Sequence, residues 1–465
     1  MSAPLIWIFV PFVAGIVALF LRSQRLLTLL GSGLALLLAL VAFLIPLDQA
    51  LSIEGVSFKI LSSIQVLGRT LTFLPAEGRL LVVIYGLIAM WLFGAEVSRT
   101  ADRLVPLGFL ISSLLIASIA VEPFLYAAAF IEMAALLAIP MLLPPNQTPG
   151  PGLMRFLIYQ TLAMPFILFS GWLLAGVEAS PGDLGLAVQA AAILGLGFAF
   201  LLAVFPLSTW MPMLVEETSP YLVGFLFWVL PTTAVIFGMG FLDRYAWLRT
   251  SEQLTLGLQW GGLLMVVSGG LWSAFERHLG RQMAYGMMAE IGFSLLALSL
   301  PSDKMVEAAF LLIIPRSLAT LVWSLSLTQM GRLVDSLKFS AVQGMAHSHP
   351  FLAAGVVLAH FSVAGFPLLA AFPIRLALWA GLANRSLGLA FWFLVGVLGL
   401  LTGATRTLAV LVKSSHENSW ELHDQWDESI LIGLGILGLF MLGVFPQISR
   451  LFLADLPIMF EHLGR

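Results

Sequence analysis

Ionisable side chains occur deep inside several apolar segments of this chain, and they are the first candidates for chemistry. A charged side chain at the centre of a bilayer costs at least about 2.5–3.5 kcal/mol, so each one needs a partner or a function. Residues of this kind, spread over neighbouring helices, can relay protons along a hydrated path. The candidate proton pathway comprises Glu132, Glu290, Arg316, His360, Arg375 and Arg406.

Each of these residues also has a purely structural interpretation. A lone glutamate within a membrane can stay protonated and donate one hydrogen bond. Arginine stays charged and must find a carboxylate, carbonyl groups or water, so Arg316 and Arg406 can simply join helices. Arg375 can extend to the surface, and His360 can be a neutral packing residue. The candidates comprise two glutamates, three arginines and one histidine, and both interpretations, a proton pathway and structural contacts, remain open.

Other kinds of active site lack the residues they require. The chain contains no cysteine, which excludes disulfides, thiolate metal sites and iron–sulfur ligation, so any redox chemistry must lie on another chain. It also lacks a glycine-rich phosphate loop and a nucleophile elbow. His347 and His349 are two residues apart and do not share a helix face, and the polar link 413–428 is interpreted as a solvated loop. We therefore expect no catalytic residue, bound cofactor or metal.

The composition indicates a membrane protein. Of the 465 residues, 60% are hydrophobic and 10% are charged, whereas a soluble domain carries about 25% charged residues. The net charge of −3 is too small to indicate a nucleic-acid partner. Soluble enzymes, nucleic-acid-binding proteins and disordered proteins are thereby excluded. The first basic residues, Arg22 and Arg25, follow the first apolar run, which favours a retained first helix with the N-terminus outside.

Apolar runs long enough to cross a bilayer recur along the whole chain. A spanning helix needs about 20 apolar residues, and this criterion predicts an all-α polytopic bundle of about 14 spans. The runs lie at 5–21, 27–46, 79–95, 104–121, 123–144, 153–176, 185–208, 220–242, 254–275, 281–300, 305–327, 349–372, 386–412 and 429–448. The alternating pattern within the link 47–78 predicts a small hairpin on the membrane surface.

Two prolines and two glutamates recur with a separation of five spans. Pro206 and Pro367 lie in the seventh and twelfth spans, and Glu132 and Glu290 lie in the fifth and tenth. Proline removes a backbone donor and clashes with the preceding turn, so we expect broken helices at spans 7 and 12. When a repeat has an odd number of spans, its second copy crosses the membrane in the opposite orientation to the first. We therefore predict one transmembrane domain over 1–465, made of 1–103, inverted repeats at 104–242 and 254–412, and 429–465.

Several short motifs, in chain order, resemble those of the antiporter-like membrane subunits of respiratory complex I, a family shared with Mrp antiporters and membrane-bound hydrogenases. The sequence FPLSTWMP at 205–212, followed by EETSP at 216–220, resembles the family signature Pro-x-His-x-Trp-x-Pro…Ala-Pro. Other segments similar to family motifs are 130–133, 154–159, 282–293 and 364–375, together with Arg406. The resemblance covers roughly residues 80–410.

The chain departs from this family at the positions of its lysines. Leu201 stands where the family has the lysine of helix seven, and Ser208 replaces the histidine of the signature. Helix eight has no lysine or histidine and holds Trp228, Pro231 and Ala234 in its middle, and the lysine position of helix eleven holds Leu318 or Ala319. In the family, the glutamate of helix five and the lysine of helix seven are held to switch proton affinity. Glu132 lacks that lysine, and only the cation of helix twelve remains, as Arg375.

The resemblance implies an antiporter-like membrane subunit of a complex I-like complex, of the NADH- or ferredoxin:quinone oxidoreductase or hydrogenase type. Such a non-catalytic subunit would take part in proton translocation, or it would be a transport-inactive scaffold. Its partners would be other membrane subunits, lipids, and protons or monovalent cations. The alternative is a subunit of a cation/proton antiporter or an inorganic-carbon uptake system without electron transfer. The expected location is a bacterial cytoplasmic membrane or a thylakoid-type membrane.

Overall fold

The computed structural model describes residues 2–48, 50–53, 56–143, 146–180, 184–300, 303–413 and 423–463. These residues are almost entirely helical. The N-terminal part contains α1 Val10–Ala18, α2 Gln24–Leu44, α3 Glu77–Phe93, α4 Ala101–Ala120, α5 Ala127–Leu142, α6 Pro151–Ala179, α7 Leu184–Leu201, α8 Trp210–Glu217, α9 Pro220–Arg244 and α10 Ala246–Arg249.

The C-terminal part continues the same pattern. It contains α11 Glu252–Phe275, α12 Leu279–Leu298, α13 Asp303–Leu311, α14 Ile313–Leu333, α15 Phe339–Val342, α16 Pro350–Ala364, α17 Phe372–Arg385, α18 Leu387–Val412, α19 Trp426–Val444 and α20 Gln447–Leu453. A π-helical turn at Leu5–Phe9 precedes α1, and 3₁₀ turns occupy Phe124–Tyr126, Leu207–Thr209, Met345–His347 and Leu456–Met459. Of the predicted polar loop 413–428, residues 414–422 lie outside the described residues.

The predicted surface hairpin is present as two hairpins. Strands β1 Ala50–Ile53 and β2 Val56–Lys59 pair antiparallel, with Ala50 opposite Lys59. Strands β3 Ser63–Val66 and β4 Arg69–Thr72 form the second hairpin, and β4 also pairs with β5 Val121–Glu122. These short strands link the start of α3 to the end of α4.

The helices confirm a polytopic membrane protein. In the part of the chain that the structure describes, nine helices are long and apolar enough to cross a membrane, by length and composition. The other predicted spans correspond to the shorter apolar helices Leu5–Ala18, Gly185–Leu201 and Pro350–Ala364, and to α3 and α12. Each predicted apolar run thus has a helix or a helix pair.

The two predicted helix breaks are present. Helix α7 ends at Leu201, Pro206 follows in the connecting loop, and the chain resumes as α8. Helix α16 ends at Ala364, Pro367 lies in the loop, and α17 begins at Phe372. Corresponding helices make similar contacts, since α4 packs against α5 and α9 while α11 packs against α12 and α18. We call α4–α9 the first half and α11–α18 the second half of the bundle.

Burial separates central helices from peripheral ones. Helices α4, α9 and α14 are buried along nearly their whole apolar length, whereas α2 and α19 expose most of theirs. The exposed faces of α2 and α19 carry leucine, isoleucine and phenylalanine side chains, which suit contact with lipid. The core that positions polar groups is therefore built around α9, α12, α14 and α16.

Glycines bring three helices of the second half into backbone contact. Gly262 of α11 meets Gly292 of α12, and Gly270 of α11 meets Gly396 and Gly399 of α18. Small residues at helix interfaces allow this close approach in membrane proteins. The tight α11–α12–α18 group forms one wall around the polar residues of this half.

Candidate functional site

Three charged side chains from three helices meet inside the second half. Glu290 lies on α12, Arg316 on α14 and Arg375 on α17, and each is at most 3% exposed. Arg316 Nε lies 3.4 Å from Glu290 Oε2, and Arg375 Nη2 donates to Glu290 Oε1. We call these three residues the charged centre.

Local backbone structure explains how Arg375 reaches the centre. The break around Pro367 ends α16 and starts α17, so Arg375 lies in the first turn of a new helix that enters the bundle. Gly365 has φ of 79°, in the left-handed region that favours glycine. A Cβ at this position would lie 2.6 Å from Cγ of Arg375, so the glycine also makes room for the arginine stem.

Further contacts hold the two guanidinium groups in place. Arg316 Nη2 donates to the carbonyl of Glu290 at 2.8 Å and to Ser294 Oγ. Arg375 lies with its Cζ 3.6 Å from the centroid of the Phe293 ring, and its Nη2 is 3.4 Å from the carbonyl of Val363. Arg375 Nε and Nη1 are buried without a protein partner. The centre therefore holds two permanent cations and one carboxylate.

His360 lies in the same half but outside the ion pairs. It is fully buried on α16, and its ring stacks on Trp323 with 4.4 Å between centroids and 28° between planes. Its Nε2 lies 3.1 Å from Ser273 Oγ, while Nδ1 has no protein partner. No salt bridge joins His360 to an acid within the described residues.

A short polar chain leads from His360 towards one end of the bundle. Gln282 Nε2 donates to the carbonyl of Ser273 at 3.3 Å, and it is 3.4 Å from the carbonyl of Glu276. Thr407 Oγ1 donates to Gln282 Oε1 at 2.8 Å. These side chains connect α11, α12, α16 and α18 next to the histidine.

Two candidates from the sequence lie away from the charged centre. Arg406 is half-buried on α18, where Nη1 donates to the carbonyl of Ala274 and Cζ lies 5.5 Å from the Phe339 ring centroid. Glu132 is half-buried on α5 and has no hydrogen bond or ion pair among the described residues. Arg406 therefore acts as a helix–helix contact, and Glu132 stands alone.

The first half has an apolar interior at the corresponding depth. Leu201 is buried, and its carbonyl accepts from Gln160 Nε2 at 3.3 Å. Trp228 is 1% exposed and stacks on Trp91, with 6.4 Å between ring centroids and 10° between planes. Tyr221 packs on the same indole at 5.0 Å and donates to the carbonyl of Trp91 at 2.7 Å. Aromatic rings thus occupy the region where the family's cations are absent.

Counting from the break prolines shows the same contrast. Arg375 lies eight residues after Pro367, and the residue eight after Pro206 is the fully buried Leu214. His360 lies seven residues before Pro367, and Ala199 stands in the corresponding place. The two breaks share their architecture, but the break at Pro367 adjoins the buried charged centre, whereas α8, after the break at Pro206, carries the partly exposed, ion-paired Glu216.

Sequence reasoning identified the charged residues but not all of their neighbours. Ser294, Phe293 and Trp323 complete the surroundings of Arg316, Arg375 and His360. Only Ser294 leaves a recognisable signal, since it lies one helical turn after Glu290 and shares its face. The rings of Phe293 and Trp323 are typical of any apolar span. Among the described residues, no group of three or more His, Asp or Glu side chains is arranged to hold a metal.

Comparisons with known proteins find similarity to respiratory and antiporter membrane proteins. Residues 184–402 match the family NADH:quinone oxidoreductase/Mrp antiporter, transmembrane. NADH-quinone oxidoreductase subunit N of Geotalea uraniireducens is 25% identical over 260 residues, which cover 55% of this chain and 54% of that protein. The match thus spans about half the length of this relative.

Solved structures share the fold over nearly the whole chain. A chain of respiratory complex I from Thermus thermophilus with bound NADH matches with a TM-score of 0.76 and 21% identity, covering 97% of both chains. A chain of the Mrp complex from Dietzia sp. DQ12-45-1b matches with a TM-score of 0.78 and 15% identity, covering 98% of this chain and 97% of that one. At these identities the likeness shows the fold.

Proposed function

We propose that this chain, which carries the NADH:quinone oxidoreductase/Mrp antiporter transmembrane domain at residues 184–402, is an antiporter-like membrane subunit of a complex I-like assembly. The assembly is of the NADH- or ferredoxin:quinone oxidoreductase type or of the hydrogenase type. Within it, this chain is a transport-inactive scaffold. The motif order, the broken helices and the fold shared with complex I support the assignment to this type of subunit.

One observation carries the scaffold part of the proposal: a single carboxylate holds two guanidinium groups in the charged centre. A proton relay needs groups that take up and release protons in turn. Arginine does not release its proton in proteins. Adding a proton to Glu290 would leave two buried positive charges without a counter-charge, which the low dielectric of the interior disfavours strongly. The centre is therefore a fixed charge arrangement.

The first half supports the same conclusion. Leu201, Leu214 and Trp228 are buried at positions where a cation would be needed for relay, and Glu132 has no ionic partner among the described residues. Among the described residues, Glu216 of α8 pairs with Arg281 and His278 at the start of α12, and no ion pair joins the first half to the charged centre. A continuous route through both halves would need groups that this chain lacks.

The partners and the location follow from the proposed assembly. Other membrane subunits would contact the exposed apolar helices, and lipids would cover the rest. The bacterial relatives favour a bacterial cytoplasmic membrane, and a thylakoid-type membrane is the other location consistent with the composition.

Purification of the tagged chain in mild detergent, with identification of the chains that accompany it, tests the assembly. Quinone-reductase or hydrogenase subunits are the expected companions. Cation/proton antiporter subunits or a lone transport partner, with no redox subunit, would contradict the proposal. Those companions would instead support the antiporter or inorganic-carbon uptake alternative, whose fold likeness is equally close.

A second candidate function is proton conduction by the chain itself through Glu132, Glu290, His360, Arg375, Arg316 and Arg406. The buried polar groups beside His360 favour it, since His360 Nε2 lies 3.1 Å from Ser273 Oγ and Gln282 donates to the carbonyl of Ser273, and polar groups inside a membrane can form proton relays. Conduction would require His360 to change its charge during turnover.

The substitution His360→Gln separates the two candidates, because glutamine can still bond to Ser273 but cannot carry a proton charge. The measurement is the number of protons translocated per electron by the reconstituted complex. The scaffold proposal predicts a wild-type ratio, and conduction predicts a reduced one. His462→Gln, at an exposed histidine near the C-terminus, is the matched control.

A further inference from the structure

The charged centre is short of negative charge. Glu290, Arg316 and Arg375 have side chains that are at most 4% exposed, and they carry one negative and two positive charges. Within the described residues, no second acid forms an ion pair with either arginine. A buried net positive charge is strongly unfavourable unless something compensates it.

The protein itself compensates only part of this charge. The carbonyls of Glu290 and Val363 accept from the two guanidinium groups, and Val363 belongs to the negative C-terminal end of α16. The face of Phe293 also attracts Arg375. However, Arg375 lies in the first turn of α17, where the helix dipole adds positive potential and no side chain caps the helix. The potentials from the end of α16 and the start of α17 therefore offset each other, and the charged centre keeps its net positive charge.

Free donors point towards the missing partner. Arg375 Nε and Nη1 are buried and bond to no protein group, although a guanidinium presents five N–H donors that suit anions. A carboxylate on another subunit has no access to a guanidinium that is 4% exposed. We infer that a small monovalent inorganic anion, chloride in its simplest form, binds beside Arg375 and completes the charge balance of the centre.

This anion site does not depend on the proposed function. It follows from the charge count and from the free donors, whether the chain is a scaffold or conducts protons. The two ideas can therefore fail separately, since one is tested by ion binding and the other by proton translocation.

The thermal stability of the purified assembly in different anions tests the site. The protein is dialysed into sodium gluconate and then titrated with sodium chloride at constant ionic strength. Because a ligand that binds only the folded state raises stability with its concentration, the wild-type Tm should rise by about 2 °C per tenfold increase of chloride above its Kd. An identical Tm in gluconate and chloride would overturn the proposal.

The substitution Arg375→Gln gives the test its specificity. It leaves Glu290 and Arg316 as a neutral pair, so the variant should fold and lose the chloride dependence. Arg385→Gln is the matched control, because Arg385 lies on the same helix but is exposed, and this variant should keep the dependence. Retention of the chloride effect in Arg375→Gln would show that the anion binds elsewhere and would overturn the assignment.

A second measurement does not rely on a variant that folds. Crystals of the assembly grown in sodium bromide should show an anomalous peak within contact distance of the Arg375 guanidinium, because bromide replaces chloride in most halide sites. Peaks at other places only, or none, would contradict the proposal.

Discussion

Around Pro206 the helices meet through aromatic and aliphatic side chains, whereas around Pro367 they meet through ions. In the first half, Trp228 and Tyr221 of α9 pack against Trp91 of α3. Glu290, Arg316 and Arg375 fill the interior of the second. Both halves keep a helix that stops, a proline in the loop, and a short helix that resumes. The broken helix is thus retained where no ionisable group uses it.

The contrast separates architecture from ion chemistry. A broken helix in a membrane frees backbone groups that neighbouring helices must satisfy, and both halves do this. Charge is a separate feature, because it must be balanced locally in a low dielectric. The first half avoids the problem by having no central charge, and the second half holds its charges in fixed pairs.

Replacing Glu290 in the second half and Glu132 in the first half should have very different effects on stability. Glu290→Gln leaves two buried arginines without a carboxylate and should lower the free energy of unfolding by about 3–5 kcal/mol. Glu132→Gln removes a half-buried acid that has no described partner, and it should change stability by less than about 1 kcal/mol. Thermal unfolding of the two variants in detergent measures both effects. Equal losses would mean that Glu132 has an ionic partner too.

Introducing the family's lysine into the first half should be harmful. Leu201 is 5% exposed, and Leu201→Lys would place a cation in an apolar membrane interior, at a penalty of about 2.5–3.5 kcal/mol. The variant should not gain proton translocation, because the interior of α9 holds no cation and Arg316 of α14 does not release its proton. Leu201→Met is the control for the change of shape. Proton translocation that appears only in the lysine variant would contradict this account of the first half.

Backbone contact in the second half should make it intolerant of added atoms. A Cβ at Gly396 would lie 2.5 Å from the carbonyl oxygen of Val266, so Gly396→Ala should destabilise the protein by about 1–3 kcal/mol. Gly195 on α7 has open space around it, and Gly195→Ala should be neutral or slightly stabilising. The difference in Tm between the two variants checks the prediction. Similar values would show that the α11–α12–α18 group is not tightly packed.

A hydrogen bond within the aromatic interior should contribute little. Tyr221→Phe removes the bond from the phenol to the carbonyl of Trp91 while keeping the ring, and it should lower the free energy of unfolding by about 0.6–1.5 kcal/mol. Tyr159→Phe is the control, because the half-buried Tyr159 has no hydrogen bond from its hydroxyl among the described residues. A loss as large as that of Glu290→Gln would mean that the first half also depends on a central polar interaction.

The sequence predicted the helix breaks at Pro206 and Pro367 better than the ion pairs of the charged centre. Pro206 and Pro367 each interrupt an apolar run, and proline acts locally, so the prediction needs no tertiary information. Glu290 lies 26 residues from Arg316 and 85 from Arg375, and their contact depends on how three helices pack. Their charges marked them as unusual, but the sequence could not show that three of six candidates converge.

Glu132 illustrates the limit of reasoning from a repeat. It lies five spans before Glu290, and this symmetry predicts an equivalent role. The structure places it on a half-buried face of α5, because the residues that would draw it inward, a lysine near Leu201 or a cation on α9, are absent. Equivalent positions in a repeat therefore need not share their chemistry. The sequence did not predict the aromatic contacts of His360 and Arg375 for another reason, because large rings occur throughout membrane interiors.

Infrared difference spectroscopy of the assembly during turnover, with ¹³C-labelled glutamate carboxyl groups, tests most directly whether the charged centre is fixed. A glutamate that takes up a proton exchanges its carboxylate signal for that of a carboxylic acid. If Glu290 is held by two guanidinium groups, no labelled carboxylic-acid signal should appear that is lost in Glu290→Asp. A labelled signal that appears on turnover, persists in Glu132→Gln and is lost in Glu290→Asp would show that Glu290 carries protons, and it would contradict the account.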